Sequence, residues 1–101
     1  MPDYDPALER LVRGARTDLA TRLGVTEDTI GVRSAQAVTW SDASLGCPQP
    51  GMAYAQVPED GTFIELEHAG TVYPYHSGGS RAEPFLCEQV EPKAPPPRID
   101  Y

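Results

Sequence analysis

The run "TFIELEHAGTVYPYH", residues 62–76, places two alternating segments on either side of Ala69-Gly70. A two-residue connection ending in glycine, between segments of period two, specifies a tight β-hairpin. Its register then sets His68 opposite Thr71, Leu66 opposite Tyr73 and Ile64 opposite Tyr75. Those four large side chains, Ile64, Leu66, Tyr73 and Tyr75, share one face. Phe63, Glu65, Glu67, Val72, Pro74 and His76 share the other, mostly polar face. A slip of one residue would exchange the faces and expose the apolar set, so the hydrophobic pattern fixes the pairing. Pro74 has no N–H to give a ladder and belongs at an edge or a bulge.

A sheet with one apolar face needs a cover, and the first segment supplies it. Leu8, Leu11, Val12, Ala15, Leu19 and Leu23 recur at helical spacing, with Gly14 on the opposite side. Asp5 can cap this helix, Pro6 suits its first position, and Gly24 can end it in a left-handed cap. The expected helix runs from about Pro6 to Leu23. "TIGVRSAQAVTW" reads as a strand in which Ile30, Val32, Val38 and Trp40 share one parity. Ser34 and Gln36 interrupt that pattern, which suggests a bulge or bend. "MAYAQV" reads as a further strand, "SGGSRAEP" as a flexible loop and "FLCEQV" as a short last strand. The expected architecture is α+β: an N-terminal amphipathic helix on an antiparallel sheet of four or five strands, in the order of cystatin or PepSY-type domains. With 101 residues there is room for one such domain, over 1–90, followed by a proline-rich tail at 91–101.

The formal charge of −7 works against binding nucleic acid or anionic lipid. No apolar stretch is long enough to span a bilayer. The opening "MPDYDPALER" has no apolar run behind positive charge, so a cytoplasmic location is expected for the chain as it stands. An extracytoplasmic one is expected if a leader was removed. One lysine and no asparagine, among abundant Ala, Arg, Gly and Pro, suggest a bacterial source of high GC content.

The chemistry-bearing residues gather in "WSDASLGCPQPGMAY", 40–54. Ser41, Asp42 and Ala43 can turn the chain, and Gly46, Pro48, Pro50 and Gly51 bend and stiffen it. Cys47 can pair with Cys87. In the chain-entropy model a loop of that length is worth roughly 4 kcal/mol, a large fraction of a small domain's stability. Trp40 would then pack beside the bridge. Two other uses of these residues stay open at this level. Cys47 could act as a nucleophile with His76 or His68 as base and Asp42 orienting it. Alternatively, Cys47, Cys87, His68 and His76 could ligate a metal, although the two histidines belong at opposite ends of the hairpin. Glu65 and Glu67 read as a solvated strand face, and Tyr73 and Tyr75 as core. His76 is the hairpin residue expected to be free for a ligand, and Leu45 an exposed apolar anchor at the loop's tip.

At "TWSDASLGCPQPGMAYAQ", "GTFIELEHAGTVYPYHS" and "PFLCE" the chain resembles a set of small bacterial domains without an assigned activity. The shared pattern falls on Trp40, Asp42, Ser44 to Pro48, Pro50-Gly51, Tyr73, Tyr75-His76 and Leu86-Cys87, within residues 38–88. Members of that group often look like secreted proteins or lipoproteins, which suits a disulfide. The resemblance implies a fold and a shared loop rather than a reaction. The inhibitory Gln-x-Val-x-Gly loop of cystatins is missing, and Gln49-Pro50-Gly51 does not replace it.

The functional expectation is a non-enzymatic binding module that needs no cofactor or metal, possesses no catalytic residue and engages a protein or a small ligand. Its contact surface is expected among Trp40, Asp42, Ser44, Leu45, Gly46, Pro48, Gln49, Pro50, Gly51 and His76, braced by Cys47–Cys87. Hydrolase inhibition is one form this could take. The alternative is an enzyme built on Cys47 and His76.

Overall fold

A computed structural model describes residues 6–79 and 81–87. Helix α1 spans Pro6–Leu23 and a 3-10 turn spans Glu27–Thr29. The strands are β1, Gly31–Trp40; β2, Glu59–His68; β3, Thr71–Gly78; and β4, Arg81–Leu86. They form one antiparallel sheet in the order β1-β2-β3-β4. The helix packs on one side of it, the expected α+β arrangement with four strands. Asp5, the boundary at residue 90 and the tail at 91–101 lie outside the described residues.

The hairpin pairs as its pattern dictates: His68 with Thr71, Leu66 with Tyr73, Ile64 with Tyr75. Ala69 and Gly70 both take positive φ, 51° and 82°, the turn that matches the twist of the strands. Val12, Ala15, Leu19 and Ala20 of α1 pack on Ile30, Ile64, Leu66 and Tyr75 beneath it, all buried. Tyr75 reaches through this layer and donates its hydroxyl to Asp18 Oδ2 at 2.7 Å. Burial, then the bond to Asp18, push the tyrosine pKa well up. At Asp18 burial works to raise the pKa, but bonds from Arg22 and Tyr75 outweigh it and lower the carboxyl below its ordinary value. Gly24, at φ 69°, ends α1 with N–H bonds from Gly24 and Val25 to the Ala20 carbonyl.

The bulge in β1 changes which face its residues use. Register shifts between Val32 and Ser34, so Val32 pairs with Leu66 while Ala35 pairs with Ile64. Val32 and Ala35 thus both turn to the helix although their numbers differ in parity. Beyond the bulge the even positions turn away. Val38 and Trp40, which share the parity of Ile30 and Val32, stand on the opposite face, because one extra residue inverts the alternation.

Two expectations change. Residues 52–57, the expected "MAYAQV" strand, form no strand. β2 already pairs with the end of β1 at Glu59–Trp40, so the residues before it extend past the sheet and have no strand alongside. "SGGSRAEP" is largely strand rather than loop: β3 continues to Gly78 and β4 begins at Arg81, with Gly78 and Arg81 paired. Gly78 and Gly79 adopt φ of 145° and 49°, which lets β3 turn sharply into β4.

Gly61 sits mid-strand where no side chain fits. A methyl there would overlap the Ser77 carbonyl oxygen and lie 2.8 Å from Trp40 Nε1. Gly14, by contrast, meets nothing within 4 Å. Gly61→Ala is therefore expected to destabilise the fold by about 2 kcal/mol or more. Gly14→Ala is expected to stabilise it by about 0.5–1 kcal/mol, through helix propensity. Urea unfolding of both variants beside the parent checks the contrast, and equal effects would contradict it.

Candidate functional site

The sheet's second face divides into an open half and a closed half. Toward the Ala69-Gly70 end, Glu65 accepts from the Ser34 hydroxyl at 2.8 Å, and Glu67 lies 4.0 Å from Arg33. These are surface pairs on an open strand face, and in water each is worth little.

The other half is covered. Trp40 closes β1 by lying over Gly61, where it donates from Nε1 to the Ser77 carbonyl at 2.9 Å. Only a residue without a side chain lets the indole come this near. The His76 ring stacks on Trp40, with centroids 4.7 Å apart and planes 8° from parallel. Phe63 meets both rings edge-on, at 6.1 Å from Trp40 and 5.3 Å from His76. Phe85 of β4 completes the set at 6.1 Å from His76, and the Arg81 guanidinium lies 3.8 Å above its ring. On the other face of the same strands, the side of Ile64 and Tyr75, Thr62 and Ser77 join their hydroxyls.

Over this aromatic layer folds the loop from Ser41 to Gly51. Asp42 organises its first turn: its carboxylate accepts from the Ser44 N–H at 2.9 Å and from the Ser44 hydroxyl. Leu45 N–H bonds the Asp42 carbonyl, and Cys47 N–H bonds the Ser44 carbonyl. Leu45 and Gly46 then take positive φ, 57° and 74°, which turns the Leu45 side chain inward. The Cys47–Cys87 disulfide, with Cα atoms 5.9 Å apart, ties the loop to the end of β4. Cys87 is itself held by its N–H bond to the Pro74 carbonyl.

The sequence-derived candidates are therefore brought together, but for a different task. Leu45, expected as an exposed tip, is 3% exposed, and His76, expected free for a ligand, is 0% exposed. The inversion at the bulge puts Trp40 on the His76 face, and covering that aromatic pair removes more apolar surface from water than an exposed tip would. Trp40 and Ser44 are buried with them. Asp42, Gly46 and Pro48 are half-buried, and Gln49, Pro50 and Gly51 are exposed. Phe63, Phe85 and Gly61 were not among the sequence candidates. A glycine inside a strand pattern was the available signal for close approach.

The disulfide also occupies both sulfurs of the candidate Cys2His2 set, while His68 stands at the far end of the hairpin, 3.4 Å from the Thr29 carbonyl. Among the described residues no three of His, Cys, Asp and Glu are grouped to hold a metal ion. None of the described helices is long and apolar enough to cross a membrane.

His76 is the titratable group at the centre. Its Nδ1–H donates to the Leu45 carbonyl at 2.7 Å, which leaves Nε2 with the lone pair. Nε2 is buried with no hydrogen-bond partner among the described residues. Burial pushes the His76 pKa below its ordinary 6.5, and the bond to Leu45 opposes this only in part. Neutral His76 thus acts as a peg: a flat ring against Trp40 and one N–H holding the loop.

A family model described as a domain of unknown function, DUF8738, matches residues 12–87, and the chain belongs to that family. No curated protein and no solved structure matches the chain.

The imidazole's lowered pKa fixes a pH dependence. A base whose folded pKa lies below its unfolded value contributes full stability above about pH 6.5. As pH falls below that, the unfolded state takes up the proton first, and stability drops by up to about 1.4 kcal/mol per pH unit until the folded pKa is reached. Urea unfolding between about pH 7.5 and about pH 5 should show this loss, and His76→Phe should flatten it. An equal slope in the variant would contradict the assignment.

Proposed function

We propose that this member of the DUF8738 family is a non-enzymatic binding module, which presents the outer side of the braced loop and the segment after it to a protein partner. The observation that carries this is the position of its exposed apolar side chains. Among the described residues the large hydrophobics left in water are Met52 and Val57, 63% and 55% exposed, and both lie in one segment. That segment ends a run of sixteen uncharged residues, Ala43 to Pro58, in a chain that is 23% charged. Acids frame it: Asp42 before, Glu59 and Asp60 after. A neutral strip between acids suits a partner with an apolar cleft and a basic rim.

The strip is stiffened before any partner arrives. Met52 N–H bonds the Gln49 carbonyl, Ala43 N–H bonds the Ala55 carbonyl, and Gln49 N–H bonds the Tyr54 hydroxyl. Pro48, Pro50 and Pro58 restrict the backbone further, and the disulfide anchors its base. Preorganisation of this kind lowers the ordering cost of binding. Lacking a strand partner, the backbone of 53–57 can add to a partner's sheet edge or lie in a cleft, as extended recognition segments do. Gln49, Pro50 and Gly51 form the exposed entry to it, with Asp42, Gly46 and Pro48 at its margin. Inhibition of a hydrolase is one form this takes. No observation favours a Cys47 nucleophile, whose sulfur is in the bridge and whose intended base is pinned to Leu45.

Photocrosslinking residues placed at 52 or 57, and at the exposed helix position Arg10 as control, test the proposal in extract of the source organism. A discrete adduct is expected from 52 and 57 only, and reduced at least tenfold when the other apolar position carries Asp. Met52→Asp and Val57→Asp should leave stability within about 0.5 kcal/mol of the parent. Equal labelling from all three positions, or none from 52 and 57, would sink it.

A further inference from the structure

The two edges of the sheet are guarded very differently. β4 carries Arg81, Glu83 and Pro84 within six residues. Charges and proline are the usual devices that keep an edge strand from pairing with another chain. β1, the other edge, has ten residues and a single charge, Arg33, at the bulge. From Ser34 to Thr39 it reads Ser-Ala-Gln-Ala-Val-Thr, with neither charge nor proline. Gln36, Ala37 and Thr39 are exposed. Among the described residues no loop or turn bonds its backbone to the outer side of β1.

We infer that β1 is a self-pairing edge, along which two copies of this chain join antiparallel about a twofold axis at Gln36. The occupant follows from charge. Two copies at −7 repel each other overall, but along this edge the local charges are complementary. Of the chain's own four strands β1 alone carries a net positive charge without an acid, and the acids of β2 stand beside its far end. In the antiparallel alignment Gln36 faces Gln36, Ala35 faces Ala37 and Ser34 faces Val38. Faces agree in each pair, since beyond the bulge the even positions all turn away from α1. Ala35 and Ala37 are small enough for two backbones to approach at strand spacing, about 4.8 Å. The two glutamine amides can bond one another. Arg33 of each copy comes beside the Thr39–Trp40 end of the other, where β2 supplies Glu59 and Asp60. Positive end thus meets acidic end twice, as an isologous interface requires. A parallel alignment would bring Arg33 to Arg33. The bulge ends the ladder at Ser34, so the contact is short and falls in the weak class of interfaces.

Sedimentation equilibrium on the full chain, from about 10 μM to about 1 mM, tests this directly. A monomer–dimer equilibrium is expected. Gln36→Glu and Gln36→Lys should each weaken it at least tenfold, because either sets like charges face to face at the axis. The lysine variant separates this from net charge, since it makes the whole chain less negative and would otherwise strengthen association. Glu83→Gln on β4 should leave the dimer unchanged. Amide exchange at Ser34–Val38 should slow as concentration rises, which reads the same edge in the unaltered chain. A monomer throughout the range overturns the inference. So does a dimer that either Gln36 variant leaves intact.

Discussion

The stacking of Trp40 on His76, over a glycine that leaves room for the indole, is the contact on which the second half of this fold depends. It joins the end of β1 to the end of β3 across β2, and Gly61 is the reason the three strands can be bridged by one ring. The indole N–H and the imidazole N–H each take a backbone carbonyl, Ser77 and Leu45 respectively. One bond belongs to the sheet and the other to the loop, so the pair couples them. Buried polar groups of this kind are stabilising only when satisfied, and both of these donors are.

A chain of this length has little surface to bury, and α1 uses one face of the sheet for it. The loop with its aromatic layer makes a second, smaller core on the other face. Leu45 provides the apolar lid, and the disulfide limits how far the lid can travel in the unfolded chain. Its position matters as much as its energy. By tying residue 47 to residue 87, the bridge leaves 52–58 to continue past the sheet as an exposed strip. The neutral strip and the unguarded β1 edge then follow from one constraint. Residues spent on closing the second face with a loop are not available to extend the sheet or cover its rim.

Periodicity made the helix-covered side legible. Ile64, Leu66, Tyr73 and Tyr75 declared their face, and the helical stripe from Leu8 to Leu23 declared its partner. The interruption at Ser34 and Gln36 announced the bulge, but its consequence was not visible. A one-residue insertion leaves the pattern of letters intact while exchanging the faces beyond it, so the parity that Val38 and Trp40 share with Ile30 and Val32 does not mean a shared face. The burial of Leu45 and His76 is hidden with it, because only with Trp40 on the His76 face is there an aromatic layer for the loop to cover. The "MAYAQV" segment failed for another reason. Strand pattern describes a willingness to pair, and pairing depends on a neighbour that local sequence does not reveal. The cysteines, sharing one loop region and one strand end, were legible as a brace.

The state of the His76 ring is the most direct measure of whether the loop is held as described. Nitrogen NMR of the imidazole distinguishes the two neutral tautomers and follows the proton with pH. The expected result is a single tautomer with the proton on Nδ1, persisting below the ordinary histidine range. A ring that exchanges between tautomers and titrates near 6.5 would show that Leu45 does not cover it. The second core would then not exist as drawn.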